Sequence, residues 1–448
     1  MPDINSSALE IGRKIAAGAV DPRDLVRAAI ARIKEVDVDH SIFVRLLEER
    51  ALIEAEAAHH RARSGLSRSP LDGVPLAWKD NIDIAGAPTE AGSRLLQGRT
   101  PSRDAPIVSV AAQAGLVALG KTNMVELAYS GLGYNPHTGT PRNAFDDQVT
   151  RLPGGSSSGS GIAVVRGLTP IAIGTDTGGS VRIPAAWNNL VGLKTTAGRI
   201  SIEGVVPLSP SLDTIGPMTR DVADAAALFE ILCNEPRIDL QAARASDLRL
   251  VALQGPVLNG VEPETREAVE RAISKLARSE FAIAQRTLLS VEEAAAVQSP
   301  AAAESFALWG ALVAARPGVA WGLVEERVIG SGAVTAAQYI SAKARLQELC
   351  QRFIHETAAF DGVLMPTVVM RAPPIAEVEA SAEAYRAANV RALSLPSLAN
   401  RLGLCAITVP AGFAGSPSLP VGLTILAGPW QERRLLQVAY AVEQSLGD

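Results

Sequence analysis

Apolar positions fall at helical spacing through residues 1 to about 63, and Ser7-Ala8-Leu9-Glu10 has the form of a capping box. Asp21-Pro22-Arg23-Asp24 then sets a cap, a first-turn proline and an acidic residue ahead of Leu25-Val26-Arg27-Ala28-Ala29-Ile30. Two amphipathic helices are expected to open the chain. After Ser64-Gly65 the pattern changes to short β-rich runs alternating with helices. The short apolar run from Gly73 that Lys79 closes reads as a buried strand, Pro106 to Gln113 as a helix, and Leu116 to Leu119 as a strand; Ile162 to Val165 leaves a glycine- and serine-rich loop, and Ile171 to Ile173 is another strand. Residues 220–235 read as a helix and 239–247 as a surface connection. A strand at Leu248 to Leu253 precedes long Ala/Glu-rich helices that run to about Thr357. Alternation of this kind predicts an α/β fold, a large mixed, twisted β-sheet with helices on both faces.

Composition narrows the class. Hydrophobic residues are 47% and charged residues 20% of 448, enough for a sizeable core and against disorder. A net charge of −5 argues against a nucleic-acid-binding surface, although it leaves room for an assembly whose other subunits carry that contact. Cys233, Cys350 and Cys405 cannot all pair and show no CxxC spacing, which suits a reducing compartment. No basic segment followed by an apolar stretch opens the chain, and no apolar run approaches the ~18 residues of a transmembrane helix. The expectation is a cytoplasmic protein with no membrane partner. His59 and His60 lack partners at metal-ligand spacing, so neither metal nor cofactor is assigned. With no internal repeat or low-complexity linker, residues 1–448 are read as a single domain, acting as a monomer or homodimer.

Candidate chemistry concentrates in three segments. Leu152-Pro153-Gly154-Gly155-Ser156-Ser157-Ser158-Gly159-Ser160-Gly161 and Thr175-Asp176-Thr177-Gly178-Gly179-Ser180-Val181-Arg182 put hydroxyls and flexible backbone in adjacent loops without a nearby histidine. A serine nucleophile needs a base, usually imidazole. Here the candidate is Lys79, which closes the apolar run Gly73-Val74-Pro75-Leu76-Ala77-Trp78. The bland reading of that residue is a solvated lysine, and of the Gly/Ser run a linker. The apolar stretch after Gly161 argues instead for an ordered turn entering a buried element. Two other motifs fail on context. Gly115-Leu116-Val117-Ala118-Leu119-Gly120-Lys121-Thr122 matches the P-loop letters, but its interior is an apolar run that belongs in a sheet. Gly155-Ser156-Ser157-Ser158-Gly159 fits a nucleophile elbow on Ser157, which requires a later histidine, and after residue 137 there is only His355, in a charged helical setting.

Together the three segments resemble the amidase signature family. The resemblance is strongest over about 65–225, with Gly120-Lys121-Thr122-Asn123-Met124-Val125-Glu126 and Ser211-Leu212-Asp213-Thr214-Ile215-Gly216-Pro217 in order, and continues weakly through Phe360 to Thr367 and Pro420 to Leu423. Residues 248–357 are the least family-like and are expected to shape the substrate entrance. Departures at Ser158, at Trp187-Asn188-Asn189 and at Thr195 bear on substrate choice rather than on chemistry. The resemblance implies a Ser-Ser-Lys triad on Lys79, Ser156 and Ser180, the serines 24 positions apart, and an oxyanion hole from the backbone N–H groups of Thr177, Gly178 and Gly179. Ser180 would be the nucleophile, Ser156 a proton relay, and Lys79 a base whose pKa burial must bring from about 10.4 to roughly 7 to 8.

Around these, Asp176 and Arg182 are expected to pair and stiffen the loop, and Ser157 to hydrogen-bond the relay. By resemblance, Tyr129, Gly131 and Leu132 should face the acyl group, with Trp187 and Trp321 adding surface. No arginine stands out as a carboxylate clamp, which favours neutral amides, anilides, esters or carbamates over amino-acid amides such as glutamine. Two alternatives remain: the glutaminase component of a tRNA-dependent amidotransferase, and a non-catalytic amidase-like binding scaffold.

Overall fold

The structure is a computed structural model that describes residues 4–447. Eleven strands form one mixed sheet: β1 (Phe43–Leu46), β2 (Pro75–Lys79), β3 (Val117–Thr122), β4 (Ile171–Asp176), β5 (Val191–Lys194), β6 (Thr214–Thr219), β7 (Arg249–Gln254), β8 (Ala282–Thr287), β9 (Gly362–Pro366), β10 (Cys405–Ala414) and β11 (Leu419–Ala427). Their order across the sheet is β1-β3-β2-β4-β6-β5-β10-β11-β9-β7-β8. β2 lies parallel between β3 and β4, and β7 parallel between β8 and β9; the remaining pairings are antiparallel.

Both faces of the sheet are covered, and the period-2 geometry of strands shows how. Leu76 and Trp78 of β2 pack into one hydrophobic cluster while Ala77 faces another; Ile171 and Ile173 of β4 side with the first, Ala172 with the second. At the other end Leu250 and Leu364 face one cluster, and Val251, Val363 and Met365 its opposite. Strands buried on both faces read as unbroken apolar runs, which is why β2, β3 and β4 are visible in the sequence.

The N-terminal helices form as their caps dictate, with the Ser7 hydroxyl accepting from Glu10 N–H and the Asp21 carboxylate from Arg23 N–H. Three elements differ from the sequence reading. Phe43–Leu46 is a strand inside the stretch read as helical, because its β-forming residues pair antiparallel with β3. Ala282–Thr287 is a half-exposed strand at the far edge, too polar to stand out among its helical neighbours. Ile162–Val165 belongs to a helix, Ser158–Val165, entered directly from the serine loop. Gly115 to Thr122 lies largely in β3, fully buried. Among the described residues no helix is long and apolar enough to cross a membrane, and no group of three or more His, Cys, Asp or Glu is placed to hold a metal ion.

Candidate active site

The site forms at the carboxyl ends of two adjacent parallel strands, β2 and β4, where an open α/β sheet offers a crevice. Lys79 is the last residue of β2 and has no exposed surface. Its Nζ lies 2.7 Å from Ser156 Oγ, 2.8 Å from Thr175 Oγ1 and 3.4 Å from the Thr175 carbonyl. Burial pushes the amine down to about 7, against the opposing pull of the Asp213 and Asp176 carboxylates. A neutral amine has two N–H donors and one lone pair. Thr175 Oγ1 accepts from Asn81 Nδ2 at 3.1 Å as well as from Lys79 Nζ. Once deprotonated, the amine has a lone pair that the Ser156 hydroxyl, 2.7 Å away, is placed to reach.

Ser156 stands at the entry to the helix Ser158–Val165 and is wholly buried; the Gly155–Ser156 peptide is cis. The helix approaches the strand ends so closely that a side chain on Gly159 would start 2.3 Å from the Ile42 carbonyl oxygen. Ser157 does not hydrogen-bond to the Ser156 hydroxyl as expected. Its hydroxyl instead exchanges 3.3 Å hydrogen bonds with the Thr175 backbone, and its N–H donates to the Ser180 carbonyl at 3.3 Å. That last bond draws the two serine loops together. No hydrogen bond joins Ser156 Oγ directly to Ser180 Oγ among the described residues.

Ser180 is 3% exposed, at the end of a loop held by a buried ion pair. Asp176 receives Arg182 Nε and Nη2, both at 3.1 Å, Gly179 N–H at 2.7 Å, Val181 N–H at 3.1 Å and Asn400 Nδ2 at 2.9 Å. Neither charge is exposed, and the guanidinium holds the Asp176 carboxyl well below the usual carboxylate range in spite of burial. Gly179 adopts φ +125°, and a Cβ there would meet Pro396 at 2.6 Å. Because its N–H is engaged by Asp176, it is not a free donor toward a substrate. The N–H groups of Thr177 and Gly178 have no protein acceptor among the described residues. The Thr177 hydroxyl donates to Asp213 at 2.5 Å, and burial pushes the Asp213 carboxyl up to about 6.

Of the residues assigned to the acyl pocket, Tyr129 lines a large cavity. Leu132 is buried in the main hydrophobic cluster beside Ile183 and Trp187, and Gly131 is pinned under Leu393 and Ile183 with its N–H on Asn389. Trp187 is likewise core, its indole N–H donating to the Met370 carbonyl at 3.0 Å. Trp321 does line the cavity, an open space of about 840 Å³ bounded by Tyr129, Trp321, Leu323, Arg327, Tyr385 and Leu393 among others. It lies beside the loop that leads to Ser180, since Leu393 Cδ2 is 3.7 Å from where a side chain on Gly178 would begin. His355, the histidine an elbow on Ser157 would need, sits exposed on the outer helix Ala336–Glu356.

A family model described as Amidase matches residues 24–436, nearly the whole chain. The chain belongs to the amidase family. Among curated proteins it is 36% identical over 405 residues to a 2-amino-5-chloromuconic acid deaminase of Comamonas testosteroni, covering 89% of this chain and 87% of that one. It is also 36% identical over 485 residues to the A component of the glutamyl-tRNA(Gln) amidotransferase of Myxococcus xanthus, covering 97% and 96%. A crystal structure of an amidase superposes with a TM-score of 0.87 at 32% identity, covering 98% and 99% of the two chains. This family member is therefore a hydrolase acting on carbon–nitrogen bonds other than peptide bonds.

Sequence reasoning missed Thr175, Asn81, Asn389, Asn400 and Arg327. Thr175 had a signal, standing one position before Asp176 at the end of an apolar strand. Asn389, Asn400 and Arg327 lie in helices more than 100 residues further on, with no local motif.

Proposed function

We propose that this chain cleaves an amide-like C–N bond, in an amide, anilide or carbamate and by the same chemistry an ester, through an acyl-enzyme on Ser180. The observation that carries the reading is the fully buried Lys79, its pKa lowered to about 7, at 2.7 Å from Ser156. Ser180 Oγ attacks the carbonyl carbon, its proton passes to Ser156 Oγ, and the Ser156 proton passes to Lys79 Nζ. The carbonyl oxygen gathers negative charge, received by the N–H groups of Thr177 and Gly178; each such donor is worth about a hundredfold in rate. Lys79 returns the proton through Ser156 to the nitrogen, the C–N bond breaks and the amine leaves. Water then attacks the ester along the same relay, releasing the acid and restoring Ser180. The Ser156 to Ser180 link tightens in the substrate complex, as catalytic hydrogen bonds commonly do.

The test is turnover of a panel of p-nitroanilides, carbamates, esters and glutamine by wild type, Ser180→Ala and Lys79→Ala. Hydrolysis by wild type alone supports the reading, and near-normal turnover in either variant ends it. Likeness to the Myxococcus xanthus amidotransferase component keeps a second reading in view, release of ammonia from glutamine within an assembly. Glutamine as the preferred substrate and co-purifying partner proteins would favour it.

A further inference from the structure

The cavity beside the loop that leads to Ser180 has a chemical character of its own. Trp321 and Tyr385 meet edge to face with centroids 4.8 Å apart, and Tyr129, Leu323 and Leu393 continue the apolar wall. Arg327, on the helix Gly322–Gly330, opens into this space. Its Nη1 donates to the Tyr129 carbonyl and its guanidinium sits 5.4 Å from the Tyr129 ring centroid. Nε and Nη2 have no protein acceptor among the described residues.

Arg327 forms no ion pair among the described residues, and its side chain is exposed, with the free N–H groups open to the cavity. Neighbouring acids are committed elsewhere, Glu326 to Arg386 and Glu325 to the Gly318 N–H. The other arginines on the wall are more fully engaged, although Arg401 Nε has no partner. Arg386 has Glu326, and Arg401 donates to the carbonyls of Ala294, Ala295 and Val297 at the end of a helix, where a cation is favoured. A planar fork with two directed donors, stacked on an aromatic ring and held in a protein wall, is built for bidentate binding of a carboxylate.

We propose that the substrate carries a carboxylate remote from the scissile bond that pairs with Arg327, on a flat unsaturated or aromatic body lying against Trp321, Tyr385 and Tyr129. This rests on the amidohydrolase reading and names the substrate class for it. It also revises the expectation of neutral substrates, which assumed that no arginine faced the pocket. An α-amino-acid amide is disfavoured, because its ammonium would need a second carboxylate and the one on the wall, Glu326, already pairs with Arg386.

Calorimetry on the Ser180→Ala protein reads recognition without turnover, so its outcome is separate from that of the hydrolysis panel. The probes are 3- and 4-carbamoylbenzoate, benzamide and glutamine. The better carbamoylbenzoate should bind at least about tenfold tighter than benzamide or glutamine, the scale of one charge-assisted contact. Adding Arg327→Gln should remove that preference, and Arg327→Lys should restore part of it, which separates lost charge from lost packing. Equal or stronger binding of benzamide or glutamine, failure of both carbamoylbenzoates to bind, or a preference that survives Arg327→Gln would overturn the proposal.

Discussion

Lys79 places a titratable amine where water cannot reach it, and two consequences follow at the scale of that residue. Only the neutral amine can take a proton, so kcat/KM should rise with pH through about 7 and level off above it. Stability runs the same way. The unfolded chain keeps the ammonium charged up to about 10.4 while the folded state releases the proton near 7, so the unfolded state binds more protons in between and stability increases with pH across that window. Lys79→Met removes the buried charge. Its melting temperature minus that of wild type should therefore be larger at pH 6 than at pH 9.5, and an unchanged difference in differential scanning fluorimetry would contradict the burial argument. Thr175→Val takes away the acceptor that orients the amine without touching either serine. It should lower kcat by about tenfold or more with little effect on KM, the pattern of a positioning residue.

Among the elements, the loop from Asp176 to Arg182 depends on an ion pair that solvent does not screen. Breaking such a pair from one side leaves a buried charge alone, at a cost of about 3–5 kcal/mol. Arg182→Met should lose about that much in urea unfolding and lose turnover with it, since the same carboxylate holds the Gly179 and Val181 N–H groups in front of and behind Ser180. A loss below about 1 kcal/mol would show that the loop stands without the pair. The legibility of this region was uneven for a physical reason. A strand buried on both faces must be apolar throughout, so β2 and β4 declared themselves, and the polar residues ending them stood out by contrast. Whether Leu132 faced a ligand or the core could not be read locally, because both environments ask for the same side chain.

At the scale of the molecule, the less family-like region 248–357 contributes β7 and β8 to the same sheet that carries Lys79, and it supplies Trp321 and Arg327 to the cavity. Glu304 ties that region to the core, accepting from the Ser209 hydroxyl at 2.8 Å, from the Ser211 N–H and hydroxyl, and from the Tyr339 hydroxyl at 2.8 Å. Reading residues 1–448 as a single domain predicts one cooperative unfolding transition, coincident by fluorescence and circular dichroism; two separated transitions would assign the insert its own unit. These long-range joins were the part the sequence did not disclose. Arg327, Asn389 and Asn400 reach the site through tertiary packing, and helical periodicity records which face is buried but not what it is buried against.

The central claim is that a neutral Lys79, acting through Ser156, activates Ser180. Its most direct test is the rate at which a fluorophosphonate labels the protein across pH 5 to 9, with the labelled residue located by mass spectrometry. The account predicts labelling on Ser180, with a rate that rises through about pH 7 and falls at least about a hundredfold in Lys79→Ala. Labelling on Ser157, or a Lys79→Ala protein that reacts as fast as wild type, would contradict it.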